Sequence, residues 1–416
     1  MSTVLIYTSP ARGHLYPMMD VALALRESGH RVVVQSLADE GERVRSAGLE
    51  HRAIDPRIEA CTLEDYRGGN PLAQLRLAFG CWLARAPFEL EDLAQARDEL
   101  DPDLLLVDAN TWGAAAFAEA EGRPWALFLP YVLPMPSRDA PAFGPGFPPP
   151  GGPLGRLRDR MAWAGQRMAT RGITSRLSAL RESAGATPIS AYWEIYDCPP
   201  LILYRTAEPF DYPRSDAPGS VASIGPGLWA PKGELPSWLE ALPRPRVLVS
   251  VSTEHQADGA IIRAAVEGLA DEEGSVIVTT GALDPSDFEA PNPTVRIKKF
   301  LPHAEVVPRV DVVVTHGGMG TTQRALAEGV PVVVVPWGRD QSESARRVEV
   351  AGAGTMVSRG RLSPERLREA VVHALGRSGG AKRVADGFRN AGGASRGAEL
   401  IEGLLRTRTG GVRRPA

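Results

Sequence analysis

Short apolar runs rich in Val, Ile and Leu alternate with stretches of helical periodicity along most of this chain. In the N-terminal half, the run at 3–7 leads through a turn into a helical stretch at 16–30. The strands predicted in this half are residues 3–7, 31–36, 103–108 and 125–130. Apolar strands joined by amphipathic helices are typical of βαβ units. The pattern therefore predicts an α/β fold built on a parallel sheet.

The same alternation restarts near residue 246 with a strand, a polar turn and a helix. The strands predicted in this half are 246–252, 274–280, 294–300, 310–316 and 330–337, and the helices are 261–270, 321–329 and 342–353. A chain of 416 residues is too long for one ordinary core. We therefore expect two Rossmann-like domains that face one another across a cleft between the carboxyl ends of their sheets.

Changes in composition mark the expected domain boundaries. We predict a first domain at 1–224, a linker at 225–243 and a second domain at 244–385. Residues 386–416 are predicted to form a helix that packs back on the first domain, followed by a frayed tail. Residues 134–155 are so rich in Pro and Gly that they predict a loop, and a loop of this length is usually functional or disordered.

The composition excludes several classes of protein. With 43% hydrophobic and 23% charged residues the chain is predicted to be globular, and its net charge of −3 gives no basis for binding nucleic acid or an acidic membrane. The three cysteines are odd in number and too scattered for a CxxC site, which favours a reducing compartment. Because neither a signal-peptide pattern nor an apolar run of membrane-spanning length is found, we predict a cytoplasmic protein without membrane insertion.

The most informative motif is HGGMGTT, residues 316–322, which stands between a predicted strand and a predicted helix. A helix N-terminus that follows a parallel strand offers free N–H groups and a partial positive charge to an anion. Three glycines let the backbone approach closely, two threonines add hydroxyls and His316 can donate an imidazole N–H, which suits a diphosphate. Taken alone, the motif is equally compatible with a tight strand-to-helix turn. It matches neither the dinucleotide GxGxxG pattern nor a P-loop.

The sequence around this motif resembles the nucleotide-sugar signature of the family 1 glycosyltransferases. FLPH, THGGMGTT and EGVPVVVVPWGRDQ, between Phe300 and Gln341, follow the family's order and spacing. The rest of the chain matches more loosely, mainly at the first strand and turn. The resemblance implies the GT-B fold, in which two Rossmann-like domains face one another, and transfer of a sugar from a nucleotide diphosphate, as in bacterial natural-product glycosyltransferases.

The resemblance also implies which residues bind the donor. Phe300 would stack on the base, and Pro302 and His303 would shape that pocket. The residues implied for the diphosphate are Thr253, His316, Gly318, Gly320 and Thr321. Asp340 and Gln341 would bind the hydroxyls of the transferred sugar, because together they offer hydrogen-bond acceptors and donors to a polyol.

Three positions depart from the family pattern. Arg324 stands where the family commonly has a Glu that accepts hydrogen bonds from the ribose, and an arginine cannot accept any. Because a deoxyribose lacks the 2'-hydroxyl, this change favours a dTDP-sugar over a UDP-sugar; alternatively, Arg324 points elsewhere and the backbone holds the ribose. Ser252 stands where the phosphate loop usually has Gly, and Ser344 stands where Asn is frequent, which leaves both contacts open.

His14 is the best-placed candidate for a general base. It follows the first predicted strand at the cleft, and its position matches the family's catalytic base, although a lone histidine is more often structural. Asp108 ends the strand at 103–108 and matches the family's partner acid, which orients the imidazole and stabilises its charged form. Without the resemblance, Asp108 is nearly as compatible with a helix N-cap.

The acceptor is expected to bind in the first domain, with Gly13, Trp82 and Trp112 as candidate contacts. Both tryptophans are also compatible with a place in the core. Apolar and aromatic walls with few polar groups suit a small hydrophobic natural-product aglycone.

Together these features predict an inverting glycosyltransferase that uses a nucleotide diphosphate sugar and needs neither a metal ion nor a cofactor. The charge of the leaving group would fall on a helix N-terminus and His316. Two alternatives are a nucleotide-sugar epimerase or hydrolase on the same fold and a non-catalytic partner protein of a glycosyltransferase. We expect a monomer or a homodimer.

Overall fold

The structure is a computed structural model that describes residues 1–254 and 256–409. Its strands form two parallel sheets, as the alternating pattern predicts. The strands of the first sheet are β1 (Thr3–Tyr7), β2 (Arg31–Ser36), β3 (Glu50–Ala53), β4 (Leu104–Asp108), β5 (Trp125–Leu129), β6 (Ile202–Tyr204) and β7 (Val221–Ser223), in the order β3-β2-β1-β4-β5-β6-β7. Those of the second are β8 (Arg246–Ser250), β9 (Ser275–Thr279), β10 (Val295–Lys298), β11 (Val312–Thr315), β12 (Val332–Val334) and β13 (Gly354–Met356), in the order β10-β9-β8-β11-β12-β13.

Helices cover both faces of each sheet. In the first domain they are α1 (Arg12–Glu27), α2 (Gly41–Ser46), α3 (Pro56–Glu59), α4 (Pro71–Leu100), α5 (Trp112–Ala120) and α6 (Pro153–Ser183). Those that follow are α7 (Ala260–Leu269), α8 (His303–Val306), α9 (Met319–Ala327), α10 (Gln341–Val350), α11 (Pro364–Leu375), α12 (Ser378–Asn390) and α13 (Gly393–Thr409). In the part of the chain that the structure describes, none of the helices has the length and apolar character needed to cross a membrane.

The carboxyl ends of β1 and β4 are neighbours at the centre of the first sheet. β1 pairs with β2 on one side and with β4 on the other, and Tyr7 lies beside Val107. The strand order reverses here, which is where open α/β sheets bind their ligands. The segments that follow β1 and β4 therefore meet at one edge of the sheet.

β8 has the same central place in the second sheet, between β9 and β11. Ser250, at its end, lies beside Thr279 on one side and Thr315 on the other. The loop after β8 and the Gly-rich turn after β11 consequently lie side by side.

Alternate side chains of the central strands enter two cores in each domain. From β1, Leu5 and Tyr7 pack on the face covered by α4 and α5, whereas Val4 and Ile6 pack on the face covered by α1 and α13. In the second domain, Val313 of β11 packs with α9 and α12, and the residues on either side of it pack with α7 and α11. Burial of each large side chain contributes roughly 1.5–3 kcal/mol, so both faces hold the sheets rigid beneath their carboxyl ends.

Several helix boundaries differ from the sequence prediction, and two of these differences concern the site and the domain division. α1 begins at Arg12, so that Gly13 and His14 lie in its first turn and not in the preceding loop. α12 continues to Asn390, and the predicted boundary at residue 385 falls inside it. The chain then crosses to the first domain through glycines with positive φ, at 392 and 393, and α13 packs on α1. Residues 410–416 of the predicted frayed tail lie outside the described residues.

The long helices α4 and α6 are absent from the sequence prediction. α4 contains Gly80 and Pro87, which normally interrupt a helical pattern. It also packs on both α5 and α6, so its apolar residues do not keep to a single face.

A buried network of charges joins the two domains, and we call Asp211, Glu343 and Arg347 the interdomain clasp. Glu343, on α10, accepts hydrogen bonds from the backbone N–H groups of Gly144 and Gly146 at 2.8 and 2.9 Å. Its other oxygen accepts from Arg347 at 2.8 Å, and Arg347 also donates to Asp211 at 2.7 Å. The three charged side chains are buried. The clasp therefore fixes the Pro/Gly-rich loop of the first domain to the second domain.

Glu343→Gln is expected to lower the free energy of unfolding by about 1.5–3 kcal/mol, because it weakens charged hydrogen bonds inside the clasp. Urea denaturation followed by circular dichroism measures this loss. Glu349→Gln is the matched control: it lies on the same helix, in a partly exposed pair with Arg346, and should cost less than about 1 kcal/mol. Equal losses in the two variants would contradict a stabilising role of the clasp.

Candidate functional site

The carboxyl end of the first sheet brings His14 and Asp108 together. His14 lies in the first turn of α1, and Asp108 ends β4. Nδ1 of His14 is 2.9 Å from Oδ1 of Asp108. The buried carboxylate also accepts hydrogen bonds from the N–H and hydroxyl of Ser9, at 3.0 and 2.6 Å, and from the N–H of Asn110 at 3.0 Å. The two residues therefore form a hydrogen-bonded dyad whose acid is held from three directions.

Opposing effects set the protonation of the dyad. Burial lowers the pKa of His14, but the charge and hydrogen bond of Asp108 outweigh it and raise the pKa above its ordinary value. Burial raises the pKa of Asp108, whereas His14 and the hydrogen bonds from Ser9 and Asn110 bring it below its ordinary value. Because an ionised carboxylate can only accept, Nδ1 carries the hydrogen, and the neutral ring keeps its lone pair on Nε2.

Asn110 is a residue of this site that the sequence prediction missed. Its Nδ2 lies 3.2 Å from Nε2 of His14. Its side chain is 9% exposed, and its Oδ1 has no hydrogen-bond partner among the described residues. The available signal was its position, two residues beyond an acid that ends a central strand.

The predicted acceptor contacts divide between the core and the surface. Trp112 is 3% exposed and lies in an aromatic cluster of the first core, 5.4 Å from Trp82 between ring centroids. Trp82 is half-buried, and Gly13 is exposed. Tyr131, which follows β5, lies 5.8 Å from His14 between ring centroids and shares a 2.9 Å hydrogen bond with Tyr196. Tyr131 therefore faces the dyad, whereas Trp112 is a core residue.

The Gly-rich turn leads from β11 into α9. Gly317 has a φ of +100°, and a Cβ there would lie 2.7 Å from Val334. A Cβ on Gly318 would lie 2.6 Å from Nε2 of His316, whereas one on Gly320 would meet no atom within 4 Å. The turn itself thus requires two of the glycines, and the third leaves the N-terminus of α9 open to an anion.

His316 lies beside this helix N-terminus. It is 7% exposed, and its Nδ1 has no partner within the described ranges. Burial lowers its pKa, although Asp258 opposes the effect, so the imidazole is neutral and can donate one hydrogen bond. Thr321, in the first turn of α9, is half-buried. The predicted diphosphate contacts on this turn therefore lie together.

The predicted base pocket lies between β10 and α8. Phe300 is 68% exposed, and Pro302 is buried. His303 Nε2 lies 3.2 Å from the hydroxyl of Thr279, and burial together with the charge of Arg324 lowers the pKa of His303 to about 4. His303 is therefore neutral and shapes the pocket, while the exposed ring of Phe300 is available for stacking.

The two residues predicted to bind the sugar differ in environment. Asp340 is half-buried, and burial raises its pKa. Gln341 is 2% exposed, and its Oε1 accepts from the N–H groups of Trp337 and Gly338 at 2.7 and 3.0 Å. Its Nε2 donates to Gln256 at 2.8 Å. In this structure the amide of Gln341 braces the loop 337–341 and thereby positions Asp340.

Arg339 bridges the two domains at the same loop. It donates to both oxygens of Asp65 in the first domain, at 2.9 and 3.0 Å, and to Glu254 at 2.6 Å. Glu254 follows Thr253, which is exposed on the loop after β8. The charges of Glu254 and Asp340, on the loop after β8 and on the loop 337–341, also raise the pKa of His14.

Two departures from the family pattern have structural partners. Arg324 donates to the backbone oxygens of Leu228 and Trp229, at 2.8 and 3.3 Å, and so ties α9 to the linker. Ser344 is fully buried, and its hydroxyl donates to the sulfur of Met319 at 3.3 Å. Neither side chain supplies a carboxylate or amide to the cleft.

Known proteins are similar to this chain in sequence and in architecture. Residues 263–394 match the family model described as Erythromycin biosynthesis protein CIII-like, C-terminal domain. The chain is 31% identical to 4'-demethylrebeccamycin synthase of Lentzea aerocolonigenes, over 97% of this chain and 99% of the relative. It is 27% identical to demethyllactenocin mycarosyltransferase of Streptomyces fradiae, over 97% of this chain and 87% of the relative. The solved structure of CalG4, the calicheamicin glycosyltransferase, has the same fold, with a TM-score of 0.77, 22% identity and 100% of both chains covered.

The imidazole of His14 is expected to titrate above its ordinary pKa, and Asp108→Asn should lower that pKa because it removes the charge that raises it. Histidine NMR across a pH series measures both values. The pKa of His303, about 4, is the internal reference and should not change. An unchanged pKa of His14 in the variant would show that Asp108 is not the cause.

Proposed function

Because the chain belongs to the bacterial natural-product glycosyltransferases of family 1, which have the GT-B fold, we propose that it transfers a sugar, with inversion, from a nucleotide diphosphate sugar to a small hydrophobic aglycone. His14 acts as the general base and Asp108 as its partner. The observation that carries the proposal is the 2.9 Å hydrogen bond of this dyad at the carboxyl end of the first sheet.

In the proposed reaction, Nε2 of His14 takes the proton of the acceptor's nucleophilic group. The nucleophilic atom forms a bond to the anomeric carbon while the bond from that carbon to the diphosphate breaks on the opposite face. One displacement inverts the anomeric configuration. Asp108 stabilises the imidazolium that forms, as the buried acid of a catalytic triad does.

We further propose that the transfer needs neither a metal ion nor a cofactor. The N–H groups at the N-terminus of α9 and the neutral imidazole of His316 can donate hydrogen bonds to the departing diphosphate. Among residues 1–254 and 256–409, no group of three or more His, Cys, Asp or Glu side chains is arranged to hold a metal ion.

The donor is proposed to be a dTDP-sugar in preference to a UDP-sugar. Arg324 lies on α9 near the base pocket, where its charge acts on His303. It has no oxygen with which to accept a hydrogen bond from a ribose 2'-hydroxyl. In a nucleotide with a 2'-hydroxyl, that hydroxyl would lack a hydrogen-bond acceptor, which costs about 1–3 kcal/mol of binding free energy when the group is buried. A deoxyribose avoids this cost.

The acceptor is proposed to lie between the dyad and the Pro/Gly-rich loop. Tyr131 faces His14, and the clasp holds Gly144 and Gly146 of the loop against α10. Aromatic and apolar walls with few polar groups suit a lipophilic aglycone.

Nucleotide binding is the first test of the donor. A nucleotide at 100 times its dissociation constant stabilises the native state by about 2.7 kcal/mol, which raises the melting temperature visibly. We expect dTDP to raise it more than UDP, and GDP and NAD to have little effect. A larger effect of UDP would contradict the donor preference, and no effect of any nucleotide would favour a non-catalytic partner protein.

Arg324→Glu is expected to shift the ratio of dTDP to UDP affinity toward UDP by about tenfold, because the new carboxylate can accept from the 2'-hydroxyl. Titration calorimetry with both nucleotides measures the ratio. Arg324→Gln is the matched control, since it keeps a donor for the linker carbonyls and adds no carboxylate. If both variants changed the ratio equally, the explanation of this residue would be wrong.

His14→Ala is expected to lower the transfer rate by roughly 10²–10⁴-fold, because it removes the general base. Sugar transfer to a phenolic acceptor, followed by chromatography, measures the rate, and unchanged stabilisation by dTDP shows that the donor site is intact. His373→Ala, at an exposed position on α11, is the control and should leave transfer unchanged. Activity of His14→Ala within about tenfold of the original would contradict the assignment.

A further inference from the structure

The base nitrogen of the dyad has a hydrogen-bond partner within the protein. Nδ2 of Asn110 lies 3.2 Å from Nε2 of His14. In the neutral form of the ring, which is the form that can act as a base, Nδ1 donates to Asp108, and Nε2 holds the lone pair and accepts this hydrogen bond from the amide. The nitrogen that takes the acceptor's proton in the proposed reaction is therefore occupied while no acceptor is bound.

Contacts with α4 fix the position of Asn110. Arg85, on α4, donates to the backbone oxygen of Asn110 at 3.1 Å. Glu89, one turn further, accepts from the N–H of Gly113 at 2.9 Å. A Cβ on Gly113 would lie 1.8 Å from the backbone oxygen of Ala86, so α4 packs directly against this segment. Three contacts thus fix the backbone that carries the amide.

The side chain of Asn110 is nevertheless incompletely bonded. It is nine-tenths buried, and its Oδ1 has no partner within the described ranges. A buried carbonyl oxygen without a partner is costly, and it is free to accept a hydrogen bond from a bound molecule. The Nδ2 group of the amide therefore donates to the base nitrogen, while its Oδ1 can accept a hydrogen bond from a ligand.

We propose that Asn110 guards the base nitrogen of His14 against water, and that the acceptor displaces its amide on binding. The proposal rests on the proposed function, in which His14 is the base. Without the guard, water gives its proton to Nε2, its oxygen bonds to the anomeric carbon and the bond to the diphosphate breaks, which releases free sugar. The guard thus protects the donor until an acceptor arrives.

Water and acceptor differ in what they contribute to the displacement. Moving the amide costs its hydrogen bond to Nε2, and a water molecule replaces this bond without burying any apolar surface. An aglycone buries its apolar body away from the reacting group, and that binding free energy offsets the cost. Asn110 therefore selects a bound acceptor over water.

Release of free glucose from dTDP-glucose without acceptor tests the guard directly. Asn110→Ala is expected to raise this rate about fivefold to tenfold over the original protein, the effect of one hydrogen bond. Asn292→Ala removes an amide that donates to the backbone oxygen of Ala270 in the second domain, and it should leave the rate unchanged. A rate in Asn110→Ala that is unchanged or lower overturns the proposal.

Histidine NMR of the acceptor-free protein gives a second readout that a purely structural role would not move. Asn110→Ala should shift the Nε2 resonance of His14 toward that of an unbonded nitrogen. Asn110→Asp should raise the pKa of His14 by about 1 or more, because it adds a negative charge. The charges that already face His14, those of Asp108, Glu254 and Asp340, are the same in each variant. If the His14 resonances were unchanged in both variants, the hydrogen bond between Asn110 and His14 would be absent and the proposal would be wrong.

The double variant His14→Ala/Asn110→Ala in the same hydrolysis assay separates the two proposals. If Asn110→Ala is faster than the original protein and the double variant is equally fast, the release of glucose does not depend on His14 and the proposed function fails at that residue. If Asn110→Ala is not faster, while His14→Ala still loses transfer to the phenolic acceptor, the base stands and the guard alone is wrong. Melting temperatures of all variants verify that each is folded.

Discussion

The arrangement of the site depends on buried charges that must be paired across the domain boundary. Removing a carboxylate and a guanidinium from water is costly, so Glu343 and Arg347 stay buried only where every partner is present. Their partners include backbone and side-chain groups of the first domain, and these come together in one relative position of the domains. Arg339 adds a second bridge at the loop that faces His14. The relative position of the two domains therefore depends on these ion pairs as well as on apolar packing.

Within that cleft the two halves contribute complementary chemistry. The first sheet ends in an imidazole backed by a buried acid that raises the pKa of the imidazole, which suits removal of a proton. The second ends in a helix N-terminus beside a neutral, buried His316, which suits an anion. Each of these two groups lies at the carboxyl end of a central strand that pairs with a strand on either side. The loops that follow neighbouring strands therefore meet at the same edge of the sheet. The same topology, used twice, thus provides both sides of one reaction.

Much of this was predictable because strand ends are strong sequence signals. The β-branched run before His316 predicted β11, and the GT-B fold is confirmed. His14 and Asp108 were predicted from their places at strand ends together with the family resemblance, and the structure brings their side chains to 2.9 Å. The remainder depended on contacts between distant residues: Gln341 is tied to Gln256 in another loop, and Arg324 to the carbonyls of the linker. A motif predicts which type of residue stands at a position, but it does not predict the hydrogen-bond partners of that residue.

The clasp holds the Pro/Gly-rich loop by its backbone, and this decides which positions of the loop can change. Glu343 binds two N–H groups, so the side chains between and around them are not part of the grip. Gly144 and Gly146 are constrained by positive φ and, at Gly146, by the backbone of Ser342 at 2.5 Å from a Cβ, and Phe143 packs on the cores of both domains. Pro145, between the two glycines, is exposed. Its side chain can therefore vary while the backbone hydrogen bonds that hold the domains together persist.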